Sequence, residues 1–291
     1  MQDVDANRYK SGFSVIELLV VIAIIGILSS IVLVSLRTSR ESARVASIIE
    51  HAWSLHTLLN VNCIAGWDFE GVAGVTVPDE CGGYNGTING ATVSTDGVNK
   101  GAALAFDGVD DYVDLGVIDI DADGPGEDGM TISAWFKADA WTNGIYHDGR
   151  IIEKSWNHYN NGIFWMLSTI AVGSDTRLRF RLKTGGVTDV LIADRGNLDL
   201  DRWYFAVATY NGSEMKLYLD GQLVGSMAKT GIVDKDSNYP AFIGNSSDLV
   251  RPWSGLIDDV RIYAEAAPLA AIQHWYARGI RERMLARAGS L

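Results

Sequence analysis

The strongest hydrophobic pattern lies near the N-terminus, where a short polar leader ends at Gly12-Phe13 and an apolar run continues to Leu36. As a helix rising 1.5 Å per residue, this run is about 36 Å long, enough to cross a hydrocarbon core of about 30 Å. Glu17 places a carboxylate inside the run. An acid in a membrane helix is costly and marks a functional residue, so we expect Glu17 to have a partner.

The helical pattern continues beyond the apolar run. Apolar residues recur at three- and four-residue steps along one face, and they are Val45, Ile48, Ile49, Ala52, Leu55 and Leu59. The first proline of the chain is Pro78. The sequence therefore predicts one helix over 13–60, roughly 70 Å long.

From about Val61 onward the pattern changes to short runs in which apolar and polar residues alternate. The predicted strands are Gly101–Leu115, Met130–Ala138, Arg177–Lys183, Trp203–Tyr210, Met215–Leu219, Tyr239–Gly244 and Ser254–Tyr263. Turn signals such as Asp107-Gly108 and Asp220-Gly221 separate them, and the second forms the tip of a predicted hairpin. This spacing of strands and turns predicts an antiparallel sandwich.

The tail after the last strand has the pattern of a helix, over about 266–288, with an apolar face and four arginines on its polar side. Periodic apolar faces usually pack against a core. We therefore expect this helix to pack on the sandwich or on the long helix. A basic helix lying on a membrane surface is the alternative.

Length and charge limit the functions open to the chain. Its 291 residues leave room for one large domain after the N-terminal helix. The net charge of −12 argues against nucleic acid as a partner.

Residues Gly12 to Glu17, followed by the apolar helix, resemble the class III signal of type IV pilins and pseudopilins. The resemblance implies that prepilin peptidase cleaves between Gly12 and Phe13, that Phe13 is then N-methylated, and that Glu17 supports assembly with other pilin-like subunits. A buried pair between Glu17 and the Phe13 amine of a neighbouring subunit would fix the register. An ordinary signal anchor is the alternative.

The predicted location follows from the same resemblance. Before assembly the chain would cross the cytoplasmic membrane once, with its C-terminal domain outside. After assembly that domain would lie at the cell surface or on a filament. In an exported domain, Cys63 and Cys81 are expected to form a disulfide. Closing this loop would stabilise the folded state by about 3 kcal/mol. Two free buried thiols are the alternative.

Five segments after the long helix resemble the LamG-like, concanavalin A-like jelly roll. They are Ala105–Val113, Thr131–Phe136, Arg202–Val207, Leu217–Gly221 and Gly255–Tyr263. The expected fold is mostly β, an antiparallel jelly-roll sandwich between a long N-terminal transmembrane helix and a short C-terminal helix. The expected segments are a leader (1–12), an assembly helix (13–60), the sandwich (61–263) and a helical tail (264–291).

Catalytic patterns are absent from the sequence. The paired-acid strand pattern of the endoglucanases on this fold is missing, and Glu153 and Glu214 have no second acid at a matching offset. The sequence has no Gly-x-Ser-x-Gly motif, and its histidines lack zinc-site spacing. We therefore expect a protein that is not an enzyme.

A short acidic segment resembles the first half of a calcium loop. Asp119, Asp121 and Asp123 alternate before Gly124, so that their oxygens turn inward and the glycine permits a sharp turn. The twelfth loop position is Met130 instead of a bidentate glutamate, which excludes an EF-hand. Calcium is the candidate cofactor, and an acidic solvated loop is the alternative.

Aromatic and amide side chains concentrate between Trp141 and Trp165, a mixture that suits sugar rings and hydroxyls. Trp156 and Tyr159 lie in a polar loop and are the candidate ligand residues. Trp135, Phe136, Trp165 and Trp203 fall in strand patterns and are expected in the core.

Together these patterns predict a prepilin-like filament subunit that displays a domain for adhesion, with a glycan or a surface protein as ligand. One alternative is a membrane-anchored binding domain that never polymerises. The other is a surface glycoside hydrolase, because the jelly roll hosts lectins and glycosidases alike.

Overall fold

The computed structural model describes residues 63–98, 101–120, 129–142, 146–157 and 159–289, together with 15–16, 19–22 and 24–25 near the N-terminus. The described N-terminal residues are helical and their apolar side chains are exposed. Gly12, Phe13, Glu17 and most of the predicted long helix lie outside the described residues. Within the described part of the chain, no helix combines the length and apolar character needed to cross a membrane.

Two antiparallel sheets of eight strands each form the domain. Sheet 1 has seven strands in a row, in the order β14 (Gln222–Ala228), β13 (Glu214–Leu219), β12 (Trp203–Asn211), β7 (Gly129–Ala138), β16 (Ser254–Tyr263), β5 (Ala103–Asp107) and β4 (Thr92–Ser94). Its eighth strand, β1 (Cys63–Trp67), also pairs with β16. A mostly β sandwich is thereby confirmed.

Sheet 2 lies across the core from sheet 1. Its order is β11 (Val187–Ile192), β10 (Asp175–Thr184), β9 (Ile163–Val172), β8 (Arg150–Ser155), β15 (Ala241–Ile243), β6 (Tyr112–Asp114), β3 (Gly86–Asn89) and β2 (Thr76–Val77). A short 3-10 turn, Asn160–Gly162, precedes β9.

The core forms between the two sheets because alternate residues of each strand point inward. Phe136 on β7 pairs in register with Tyr204 on β12, and their rings stack with centroids 5.7 Å apart. Trp253 packs edge-on against Phe136 at 5.6 Å. All four aromatics expected in the core are buried. Phe136 and Trp165 lie between the sheets, whereas Trp135 and Trp203 belong to a second apolar cluster on the outer face of sheet 1.

The C-terminal helix, α1 (Leu269–Gly289), covers the outer face of sheet 1, the face directed away from sheet 2. Tyr276 stacks on Trp135 with ring centroids 5.7 Å apart, and Trp275 stacks on Tyr263 at 5.1 Å. A Cβ at Gly279 would come within 2.4 Å of the Trp135 ring, so glycine permits the close approach. The helix therefore packs on the sandwich, as the sequence predicts.

A disulfide joins Cys63 at the start of β1 to Cys81, with Cα atoms 5.7 Å apart. This confirms the predicted pairing. The bond ties the first strand of the sandwich to the loop that follows β2.

Candidate functional site

The two faces of sheet 2 carry different chemistry. Ile152, Leu167 and Phe180 lie opposite one another on β8, β9 and β10 and belong to the core. The neighbouring row contains Glu153, Met166 and Arg181 in register. Because side chains alternate along a strand, this second row lies on the outer face of sheet 2, directed away from the core.

A bulge in β8 brings two charged residues to that outer face. Residues three apart in a regular strand point to opposite faces. The register of β8 shifts between Arg150 and Ile152, so that Arg150 lies opposite Ser168 and Glu153 lies opposite Met166. Both charged side chains are fully buried there, and their groups form an ion pair. Bulges commonly redirect side chains at functional positions.

We use the name arginine cluster for the charged side chains that meet on this face. Its members are Asp148, Arg150, Glu153, Arg179, Arg181 and Arg251. Asp148 is central, because its Oδ1 accepts hydrogen bonds from Arg150 and Arg179. Its Oδ2 lies 3.2 Å from Nε of Arg251.

The second carboxylate of the cluster, Glu153, binds three groups. Its Oε2 accepts a hydrogen bond from Nε of Arg150, and its Oε1 accepts from the hydroxyl of Ser155. Oε1 also accepts the backbone N–H of Ser247 at 3.2 Å. The last contact anchors the loop between β15 and β16, residues 244–253, over the end of β8.

Burial lowers the pKa of two arginines of the cluster. Burial lowers the pKa of Arg179 to about 9, with Arg150 and Arg181 as further lowering charges, although Asp148 acts in the opposite direction. Burial also lowers the pKa of Arg181, as does the charge of Arg150, whereas Asp148 and Glu153 act in the opposite direction. Loss of hydration is the first cause for both arginines, and the neighbouring carboxylates offset it only in part.

The predicted ligand residues lie in the loop after β8. Trp156 and Tyr159 expose 49% and 68% of their surface, as expected for surface residues. The Trp156 N–H donates to the Gly162 carbonyl, and the Gly162 N–H donates to the Tyr159 carbonyl, each at 2.9 Å. Trp156 follows Glu153 by three residues in the chain. Their Cα atoms are therefore at most about 11 Å apart.

The calcium prediction lies only partly within the described residues. Asp121 and Asp123 are outside them. The Asp119 carboxylate accepts a hydrogen bond from Nζ of the buried Lys154 and another from the Asp236 N–H at 3.3 Å. Calcium binding in this loop stays a prediction.

A second acidic group, which the sequence patterns did not predict, lies before β6. Asp107, Asp110 and Asp111 place one carboxylate oxygen each within 4.8 Å of one another. Burial raises the pKa of Asp111, and the charges of Asp107 and Asp110 raise it further. The signal in the sequence is the Asp-Gly-x-Asp-Asp spacing, which also forms a predicted turn and part of the jelly-roll resemblance.

Two family models match the chain. Residues 107–273, more than half of its length, match the concanavalin A-like lectin/glucanases superfamily. Residues 7–33 match the prokaryotic N-terminal methylation motif. None of the curated proteins compared with the chain matches it.

Solved structures with the same fold are distant in sequence. Domain 4 of AbnA, a GH43 extracellular arabinanase from Geobacillus stearothermophilus, in complex with arabinotriose, is 17% identical, with a TM-score of 0.54 over 73% of this chain and 97% of that one. The botulinum neurotoxin serotype D binding domain is 18% identical (TM-score 0.56; 75% and 52% covered). The binding domain of Paraclostridial Mosquitocidal Protein 1 is 14% identical (TM-score 0.57; 75% and 52% covered). The match spans about half of the two toxin domains.

Proposed function

The chain belongs to the concanavalin A-like lectin/glucanases superfamily and carries a prokaryotic N-terminal methylation motif, and on this premise we propose that it is a pilin-like filament subunit whose sandwich binds carbohydrate. Prepilin peptidase would cleave between Gly12 and Phe13. Glu17 would pair with the new amine of a neighbouring subunit. The sandwich would act by binding, without catalysis.

The observation that carries the binding proposal is the contrast between the two outer faces. On sheet 1, α1 packs over Trp135 and Tyr263. On sheet 2, the corresponding face carries a buried polar network, and the loop that follows β8 exposes Trp156 and Tyr159. Binding sites combine a few placed polar groups with aromatic surfaces, so sheet 2 is the face suited to a ligand.

The aromatic pair favours a sugar as that ligand. Aromatic side chains combine a large apolar surface with a specific geometry, and sugar rings present apolar C–H faces together with hydroxyls. The loop that holds Trp156 and Tyr159 also has Asn157, whose Oδ1 accepts the Tyr159 N–H at 2.9 Å. The bound arabinotriose of the arabinanase domain belongs to a protein of the same fold, which supports the proposal by analogy.

The test is a glycan array probed with the full chain purified in detergent micelles. We expect binding to a defined set of glycans, reduced by Trp156→Ala and by Tyr159→Ala. Met284→Ala is the matched control, because Met284 is an exposed apolar residue on α1, beyond the other sheet. Absence of any glycan binding by the intact chain, or equal binding by all three variants, would contradict a carbohydrate site in this loop.

A further inference from the structure

The arginine cluster contains more cations than carboxylates. Four of its six members are arginines and two are acids. Arg150 joins both acids, while Arg179 and Arg251 contact Asp148. These contacts occupy both carboxylates and leave Arg181 as the additional cation.

Arg181 is the arginine of the cluster that forms no ion pair with a described carboxylate, although the charges of Asp148 and Glu153 act on it at longer range. Its Nε is buried and has no hydrogen-bond partner among the described residues. Its side chain as a whole is half-buried. An unpaired buried donor costs free energy, and such a group calls for an explanation, such as stored strain, a functional role, or an ordered water or ion.

The surroundings of Arg181 are open on one side. Arg181 and Arg179 lie in register with Val190 and Ile192 of β11, which is the edge strand of sheet 2. Val190 and Ile192 are exposed by 36% and 37%. A ligand that approaches over this edge would meet two apolar side chains first and then the half-buried Arg181, whereas Arg179 is buried and bonded to Asp148 and Ser168.

We infer that the outer face of sheet 2 binds saccharides that carry a carboxylate, with Arg181 as the group that pairs with the acid. This inference rests on the proposed carbohydrate binding and names its ligand class. A guanidinium presents its donors as a planar fork that matches a carboxylate with two parallel hydrogen bonds. The carbon skeleton of the sugar would lie against Val190 and Ile192.

The charge of the whole protein favours an isolated carboxylate over a densely charged polyanion. The chain has a net charge of −12, so a polyphosphate or nucleic acid would be repelled by most of its surface. A uronic acid brings one charge per sugar ring, which a local excess of arginines balances. The cost of the strained cluster would be recovered when the carboxylate binds.

The experiment compares each acidic oligosaccharide with its own carboxyl-reduced form. Titration calorimetry uses the full chain in detergent micelles and oligosaccharides that carry a single galacturonate, glucuronate or mannuronate residue, with their neutral, reduced counterparts and a sulfated oligosaccharide. We expect at least one of these acidic oligosaccharides to bind about ten- to a hundredfold more tightly than its reduced form. Higher salt should diminish that preference, since ion pairs are screened.

Variants connect the preference to Arg181. Arg181→Gln should bind the acidic and reduced forms equally, and Arg181→Lys should recover part of the difference. Arg281→Gln is the matched control, because Arg281 is 70% exposed on α1 and pairs only with its neighbour Glu282 among the described residues. Thermal melts of all variants show whether each remains folded.

The outcomes separate this inference from the proposed function. Binding of neutral glycans with no preference for the acidic form would overturn the inference and leave carbohydrate binding intact. A preference for the sulfated oligosaccharide alone, or an acidic preference unchanged in Arg181→Gln, would also overturn it. Binding of no saccharide at all would overturn both.

Discussion

Arg150 and Glu153 form a buried ion pair within a single strand, although residues three apart in a regular strand point to opposite faces. The bulge of β8 brings the two side chains to the same face. Arg150 also contacts Asp148, and Glu153 also accepts the Ser247 N–H, so the pair connects Asp148 to the loop around Ser247. One local irregularity thus organises the polar network that covers sheet 2.

Removing the charge of Glu153 should destabilise the sandwich strongly. Glu153→Gln leaves Arg150 buried with one carboxylate fewer, and breaking a buried pair from one side costs about 3–5 kcal/mol. Urea denaturation measures the free energy of unfolding. The control is Glu214→Gln, whose carboxylate pairs with Lys216 at 2.8 Å on the surface and should change stability little. Equal effects of the two variants would contradict a structural role for the buried pair.

Replacing Arg181 with methionine should stabilise the free protein. Methionine keeps an unbranched apolar stem and removes a cation that burial and Arg150 both disfavour. Relief of such functional strain is worth about 1 kcal/mol, which corresponds to an increase of roughly 2–4 °C in melting temperature for a domain of this size. Differential scanning calorimetry gives the value. Arg281→Met, at an exposed position, should show no such increase, and a decrease for Arg181→Met would mean that the guanidinium supports the fold.

Loss of the disulfide should lower stability by about 3 kcal/mol. The bond closes a loop with a sequence separation of 18, and the chain-entropy model gives this magnitude for such a loop. The double variant Cys63→Ala/Cys81→Ala and the reduced wild-type chain should unfold at the same, lower urea concentration. A reduced wild-type chain as stable as the oxidised one would exclude a stabilising role.

Assembly should depend on Glu17. Glu17→Ala removes the acid that would neutralise the Phe13 amine of a neighbouring subunit, so incorporation into filaments should be lost while membrane insertion persists. Labelling of surface filaments with an antibody to the sandwich measures the first, and membrane fractionation the second. Glu41→Ala, outside the apolar run, is the matched control. Unchanged incorporation of the Glu17 variant would favour a membrane-anchored domain that does not polymerise.

Calcium should raise the melting temperature if the acidic loop binds it. Acids on alternate residues supply the oxygen ligands that calcium requires, so Asp121→Asn and Asp123→Asn should each abolish the difference between melts with calcium and with chelator. Asp110→Asn is the comparison, because Asp107, Asp110 and Asp111 form the separate acidic group. Equal melting temperatures of the wild-type chain with calcium and with chelator would exclude a stabilising ion. Loss of the calcium effect in Asp110→Asn alone would assign the ion to the group of Asp107, Asp110 and Asp111 instead.

The two strands that the sequence predicted most accurately are central strands of sheet 1, and in β7 apolar Met130, Ile132 and Ala134 alternate with polar Thr131 and Ser133. The predicted strand Met130–Ala138 is observed as β7 over Gly129–Ala138, and Ser254–Tyr263 is observed as β16 with the same bounds. β8 and β9 were not among the predicted strands. β9 begins with five consecutive apolar residues, Ile163 to Leu167, which have no alternation to detect. β8 buries charged residues, which a search for apolar positions passes over.

The arginine cluster was also not predicted, although the sequence contains part of its pattern. Arg177, Arg179 and Arg181 alternate with Leu178 and Phe180, a pattern that places three cations on one face of a strand. Their partners lie elsewhere in the chain. Asp148 precedes β8, and Arg251 precedes β16, so no local spacing connects them.

The sequence by itself determined the parts that depend on local pattern: the methylation motif, the alternation that makes a sandwich, the turns between strands and the helical tail. These follow from residue periodicity and turn chemistry, which act over a few residues. Only the tertiary structure decided which outer face α1 covers and which charged residues meet on the other. The bulge of β8 brings Arg150 and Glu153 together, and strand pairing aligns Arg181 with Glu153 across Met166. Those contacts depend on register between distant strands, which the three-dimensional packing fixes.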